Sequence, residues 1–378
     1  MNMEPTNKKT IQELTNQIIE KGIFANNQFK QKCKAELEFR IQETAKENKG
    51  EFTIQDLQKN IENLERHTYN ANEKSIYTTL KNILKNFSYQ EKISIDMQED
   101  NEEILIHKFQ KLGQEFDKEM PEIEKLVNQK QYAEAKIRLH KLEEQAIMKE
   151  PQKGEYTFYC FSNYIEFVLF YETHREEKRK NLYPGINLAE VYYQLAFIAY
   201  EEKELEIALE NIEKAIQWNP VNVRILFEKA AIFRVNKKMQ RFRAEVEKIY
   251  HYIYRGDFLA KFYRELGYYY TEMKEFPLAN ALYTNSIVLF DTKVAQNELQ
   301  YLAHEEGREA KMSTPEEVRN LFRDYNIPLG FSGEVYHIIL TQYEHMKQRN
   351  VKTPEYKIVC NVLYDITRDK KYLEDVKN

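Results

Sequence analysis

The chain is poor in turn formers, with ten glycines and nine prolines in 378 residues. Sheets joined by tight hairpins need more than that, so a mostly helical fold is expected. Cysteine is scarce too. Cys33, Cys160 and Cys360 lie far apart, in odd number and without a CxxC pair, which argues against a disulfide framework or a zinc site. No apolar run approaches the roughly 18 residues a membrane helix needs; "YIEFVLFY", Tyr164 to Tyr171, is short and carries Glu166. The opening "MNMEPTNKKTIQELTNQ" lacks the apolar core of a secretory signal. Positive charge is not in surplus: the net charge is −5 and the pI about 6.0, so nothing draws the chain as a whole to nucleic acid or an anionic membrane. These absences lead us to expect a cytoplasmic protein with no membrane partner.

What is present is charge and tyrosine. Charged residues make up 31%, above a globular average of roughly 25%, and 42% is hydrophobic. The stretch Ala189 to Pro220, "AEVYYQLAFIAYEEKELEIALENIEKAIQWNP", places large and small apolar residues at Tyr192, Leu195, Ala196, Ala199, Ala208, Ile212 and Ala215, then closes on Pro220. Two helices broken near Glu202 to Glu204 are implied. About two 34-residue periods later, Ala260 to Asp291 puts Tyr263, Leu266, Gly267, Tyr270, Ala279, Tyr283 and Ser286 in the same slots. The copy between them is degenerate: Leu226, Ala230 and Phe233 hold, but Phe242 replaces the small residue of the second helix, so a wider pair or a slipped register is expected there. Lys125 to Glu144 reads as the second half of another repeat. Glu155 to Lys180 reads as a long helix before Ala189.

This pattern resembles the tetratricopeptide (TPR) repeat. The pieces "NLAEVYYQLA", "AIQWNPVN", "FYRELGYYYTEMKEF", "NELQYL", "YNIPLGFS" and "VLYDITRDKKYLE" look like an uncharacterised bacterial, clostridial-type TPR family, a resemblance covering residues 155–378. It implies an all-α, right-handed superhelix of helix pairs and brings no known activity. The expected organisation is an N-terminal helical domain over 1–98, a linker or connecting helix over 99–115, repeats over 116–310 and capping helices over 311–378. In the first domain, helices are predicted near 7–22, 28–48, 53–66 and 72–87, the second with a buried stripe of Phe29, Cys33, Leu37 and Ile41. Ser94 to Glu103 is an acidic linker candidate. Near the C-terminus, Thr314 with Pro315 and Glu317 forms a capping-box pattern, and Thr353 with Pro354 repeats its start.

Catalytic motifs are missing: there is no phosphate loop, dinucleotide fingerprint, HExxH or nucleophile elbow. Glu334 and His337 form one ExxH, where a di-iron bundle needs two and further carboxylates. Cys160 and Cys360 sit in apolar surroundings and read as core. "RVNKKMQRFR", Arg234 to Arg243, has five basic residues but no interleaved aromatics for stacking on bases, so a solvated turn is the simpler reading. No enzyme, cofactor or metal is expected, and nucleic acid is disfavoured.

In TPR arrays the first helix of each pair lines a concave groove. The matching positions are Glu190, Tyr193, Phe197 and Tyr200; Arg224, Phe227, Ala231 and Arg234; and Lys261, Arg264, Tyr268 and Thr271. From these, Tyr193, Phe197, Tyr200, Arg224, Phe227, Lys261, Arg264 and Tyr268 are the candidate groove residues, although each aromatic competes with a role in repeat packing. The set suits a protein or peptide with apolar anchors and an acidic group. Tyr193 and Phe197 stand where the carboxylate-clamp subfamily, which binds chaperone C-terminal tails, has Lys and Asn. The expected function is a non-catalytic scaffold or adaptor, with self-association left open. The alternative is a peptide-responsive regulator whose groove controls the N-terminal helices.

Overall fold

The computed structural model describes residues 11–48, 51–68, 70–87, 92–94 and 102–377. The fold is all-α, with 18 α-helices among the described residues and five strands of two or three residues each. The chain divides into two compact units, Met1–Gln114 and Glu115–Asn378.

In the first unit, α1 (Ile11–Ile19), α2 (Asn27–Glu47), α3 (Ile54–His67) and α4 (Ala71–Leu84) surround one apolar core. The stripe Cys33, Leu37 and Ile41 is fully buried and continues to Ala45, while Phe29 packs at its edge. A small antiparallel ladder was not legible beforehand: β1 (Glu51–Thr53) pairs with β2 (Lys92–Ser94), setting Phe52 opposite Ile93 in the core. Thr53 ends the strand and caps α3. Its amide donates to Asp56 Oδ2 (2.9 Å) and its Oγ1 accepts from the Asp56 amide (3.3 Å). The expected helix start at residues 7–10 and most of the acidic linker candidate lie outside the described residues. α5 (Glu102–Asn128) is helical through the described part of the expected 99–115 connection, and the division between units falls within it.

The second unit contains four helix pairs. α5 is followed by α6 (Tyr132–Gln145), α8 (Leu188–Glu201) by α9 (Leu205–Trp218), α10 (Val223–Val235) by α11 (Met239–Ile249), and α12 (Gly256–Glu272) by α13 (Phe276–Leu289). All four turns share one build. A lysine takes the left-handed conformation: Lys130 (φ 60°), Lys203 (69°), Lys237 (54°) and Lys274 (61°). The next residue has φ between −87 and −85° and ψ between 60 and 65°. Its N–H reaches back five residues, from Gln131 to Leu126 O, Glu204 to Ala199 O, Lys238 to Phe233 O and Glu275 to Tyr270 O, at 2.8–2.9 Å. The four pairs are therefore turned alike in backbone geometry, although a left-handed residue and a five-residue reach also end α14 (Lys293–Glu305), α15 (Pro315–Asp324) and α16 (Gly333–Gln348).

Packing explains the residue sizes. Gly267 lets α12 approach α13, since a Cβ there would stand 2.6 Å from the Tyr283 ring. In the degenerate pair, Phe242 is fully buried and meets Tyr268 edge-on at 6.1 Å. The turn keeps its geometry, so the register does not slip. α11 is instead short and ends in a 3-10 turn, Tyr250–Tyr252.

The long helix expected over 155–180 is not formed. β3 (Gln152–Lys153), β4 (Tyr156–Thr157) and β5 (Lys180–Asn181) make a small sheet, and α7 is only Tyr164–Thr173. Gly154 (φ 58°) turns β3 into β4, and the β-branched and aromatic run that follows favours extended chain. Asn163 then starts α7 by accepting from the Ile165 and Glu166 amides (2.9 and 3.2 Å).

The C-terminal helices are α14, α15, α16, α17 (Pro354–Thr367) and α18 (Lys371–Lys377). α14 and α15 lie against α13. α16 and α17 instead share a core with α7: Ile165, Val168, Leu169 and Tyr254 pack with Val335, Ile339, Val359 and Leu363. The Gly256 amide also donates to Asp365 Oδ2 at 2.8 Å. These helices therefore brace the flank of the array, which a simple end cap would not. The Thr314–Glu317 capping box forms. The Thr353 hydroxyl does not cap α17, although Pro354 opens that helix.

Candidate functional site

The first helices of three consecutive pairs, α8, α10 and α12, carry the candidate groove residues. Tyr193, Phe197 and Tyr200 on α8 and Lys261, Arg264 and Tyr268 on α12 are half-buried, and Arg224 on α10 is exposed. Phe227 is a correction. It is 1% exposed and belongs to the core between α10 and α12, where its ring lies 6.4 Å from that of Phe258 and under the Lys261 ammonium at 4.7 Å. Thr271 is also buried, bonding Gly267 O (2.9 Å) and the Tyr283 hydroxyl (3.2 Å).

The cations on these helices are mostly paired. Arg224 bonds Glu190 of α8, and its guanidinium lies 4.1 Å from the Tyr193 ring centroid. Lys261 Nζ is 3.9 Å from Glu228 on α10. Arg234 Nη1 donates to Glu265 on α12 at 2.9 Å and faces the Tyr268 ring at 5.2 Å. A ladder of ion pairs thus ties α8 to α10 and α10 to α12. The carboxylates Glu228 and Glu265 were absent from the sequence reading, yet each stands four residues after a candidate cation, Arg224 and Lys261, on the same helical face. Partly exposed pairs of this kind contribute about 0–1 kcal/mol each.

Arg264 differs from the others. Its Nη1 donates to Ser286 Oγ on α13 at 3.1 Å, and among the described residues no carboxylate lies within ion-pair distance of it. The two acids that act on it electrostatically are already engaged: Asp257 with Arg255 at 2.6 Å and Glu265 with Arg234. Burial pulls its pKa below the usual arginine range. Burial also pushes the Tyr193 hydroxyl up to about 12, with Glu228 adding and Arg224 opposing. On α14, Glu298 is raised by desolvation and accepts from the Tyr283 hydroxyl at 3.4 Å.

Other sequence candidates fall elsewhere. Glu334 and His337 are exposed on α16. The basic turn closes two of its arginines onto carboxylates, Arg234 on Glu265 and Arg243 on Glu247 (2.8 Å). Cys33, Cys160 and Cys360 are free and buried; burial pushes the Cys33 thiol up to about 11 and Cys160 up to about 12, which makes them poor nucleophiles. Among the described residues no group of three potential metal ligands converges, and no helix is long and apolar enough to cross a membrane. A surface cavity of about 710 Å³ lies in the 146–187 insertion, walled by Tyr159, Phe170, His174 and Arg179, apart from the candidate residues.

No family model matches the chain. The Hsp70-Hsp90 organising protein of Plasmodium falciparum (isolate 3D7) is 30% identical over 119 residues, a stretch that takes in 30% of this chain and 21% of that protein. The chain therefore spans well under two thirds of that relative. A solved structure of Pseudomonas aeruginosa pilF aligns with 71% of this chain and 98% of its own, at 13% identity and a TM-score of 0.37. The Cut9–Hcn1 hetero-tetramer of the APC/C aligns with 97% of this chain and 66% of its own, at 11% identity and a TM-score of 0.30. With its four equivalently turned helix pairs, the second unit is a TPR-like helical repeat.

Proposed function

We propose that the chain is a non-catalytic scaffold that binds a protein or peptide along α8, α10 and α12. The observation that carries this reading is the set of half-buried aromatics on two of the three first helices, Tyr193, Phe197 and Tyr200 on α8 and Tyr268 on α12, with the exposed Arg224 on α10 between them. Aromatic side chains left partly uncovered between charged neighbours are the usual anchors of an interface. The relative's name points to organising Hsp70 and Hsp90, but Tyr193 and Phe197 occupy the slots where a carboxylate clamp would have Lys and Asn, so a chaperone-tail adaptor is disfavoured. Nucleic acid is disfavoured because the basic turn is partly neutralised by Glu265 and Glu247. The free, buried thiols suit a reducing cytoplasm.

The test is capture of partners from a native extract on immobilised protein, with Tyr193→Ala, Arg224→Glu and Arg264→Glu combined as the control. A protein or peptide held by the wild type and lost from the control supports the groove. Equal retention by both would move the interface off these helices. A peptide-responsive regulator is the second reading, favoured by the separately compact first unit. It predicts that a bound peptide changes hydrogen exchange in α1–α4.

A further inference from the structure

We infer that Arg264 is the anion anchor of this groove, and that the ligand presents one carboxylate to it between apolar side chains. The inference rests on the groove reading above and narrows it. Arg224, Lys261 and Arg234 all lie on the same helices, but Glu190, Glu228 and Glu265 already hold them. A ligand carboxylate at those cations would have to displace a resident one, an exchange with little net gain.

Arg264 has no such competitor. A guanidinium has five N–H donors, and the bond to Ser286 Oγ uses one. Ser286 is fully buried, so this bond fixes one edge of the fork against α13. The two acids that act on it, Asp257 and Glu265, are each held by their own arginine. A half-desolvated cation of this kind gains more from a partner than an exposed one, because water competes less for it. Lys261, one turn before it on α12, and Tyr268, one turn after it, bound the position along the helix. A planar carboxylate can take two parallel N–H bonds from the fork; an ammonium cannot supply that geometry.

The carboxylate can come from an Asp or Glu side chain or from a chain terminus, and the probes separate the two. Fluorescein-labelled octapeptide pools are made from Leu, Phe, Tyr, Ser and Gly, carrying one Asp or Glu, one Lys or Arg, or neither. Each pool is made with a free and with an amidated C-terminus. Fluorescence anisotropy is read on the full chain, on Arg264→Gln, on Arg264→Lys and on Phe197→Ala, with thermal unfolding of each as a check that it folds. We expect wild type to prefer acid-bearing or free-terminus pools. Arg264→Gln should lose that preference by roughly tenfold to a hundredfold, as for a lost charge-assisted bond, and Arg264→Lys should recover only part. Preference kept under amidation assigns a side chain; preference lost under amidation assigns the terminus. Binding that ignores the acid, or survives Arg264→Gln unchanged, overturns the anchor; if Phe197→Ala still weakens it, the groove stands without the anchor. No binding of any pool by wild type would overturn both.

Discussion

Glu166 offers a quantitative test of how the insertion is held on the repeats. This carboxylate is 4% exposed and has no cation within ion-pair distance among the described residues. It accepts instead from the Ser162 amide (2.7 Å), Asn219 Nδ2 (2.8 Å) and Asn222 Nδ2 (3.2 Å). Asn219 and Asn222 come from the turn between α9 and α10, the "WNPVN" of the sequence, so the carboxylate fastens α7 to the second repeat. Glu166→Ala strips the Ser162 amide of its partner. Asn219 keeps the Cys160 carbonyl (2.9 Å) and Asn222 keeps Ser162 Oγ (2.9 Å). One orphaned donor and two lost bonds to a charge, less the relief of a buried charge, come to about 2–4 kcal/mol of destabilisation. Glu166→Gln keeps the shape and one acceptor oxygen, and should cost less than about 1 kcal/mol.

The assay is urea denaturation followed by fluorescence, because the single tryptophan, Trp218, is buried beside Asn219 and its carbonyl accepts from the Cys160 amide (2.8 Å). Burial raises the Glu166 pKa above 4.5, with the Asn219 and Ser162 bonds partly opposing. The folded state therefore takes up the proton first as pH falls, so the penalty for the buried charge is present at neutral pH and is relieved as pH falls through the folded pKa towards 4.5. Wild type should gain stability on Glu166→Gln across that window. Equal stability of Glu166→Ala and wild type, or a gain in the opposite pH direction, would refute the reasoning.

Three further outcomes follow from the packing. Lys203→Gly should stabilise the chain by up to about 1 kcal/mol in thermal unfolding, because glycine takes the left-handed turn without the Cβ cost; a loss of stability would show that the Lys203 contact with the Tyr200 ring at 5.7 Å outweighs the strain. Phe242→Ala should cost about 3–5 kcal/mol by leaving a cavity, measured by urea midpoint; a cost below 1 kcal/mol would mean that α10 and α11 close over the gap. A double-mutant cycle on Glu190 and Arg224 should return less than about 1 kcal/mol of coupling, since the pair is partly exposed; a larger value would make the ladder a structural element in its own right.

Much of this molecule follows from local rules. Scarce glycine and proline, period-3.6 apolar faces and a recurring large–small pattern locate the helix pairs, because helix formation and pair packing depend on residues within one repeat length. Capping works at shorter range still, so the Thr314 box could be read directly, whereas the Thr353 hydroxyl did not follow its pattern. The candidate groove followed from position within the repeat, yet position could not tell Phe197, left half-exposed, from Phe227, swallowed by the core. Ion pairing was half legible: Glu228 and Glu265 share a helical face with Arg224 and Lys261, but they pair across to Lys261 and Arg234 on the neighbouring helix, which depends on how the pairs stack. The tertiary structure alone decided the contacts between distant segments. Phe52 meets Ile93 across a two-stranded ladder, α7 is cut short to sit on α16 and α17, and Glu166 finds Asn219 and Asn222. Each of these joins residues whose spacing in the chain carries no period, so only the packed fold, where burial of the whole surface outweighs local preference, brings them together.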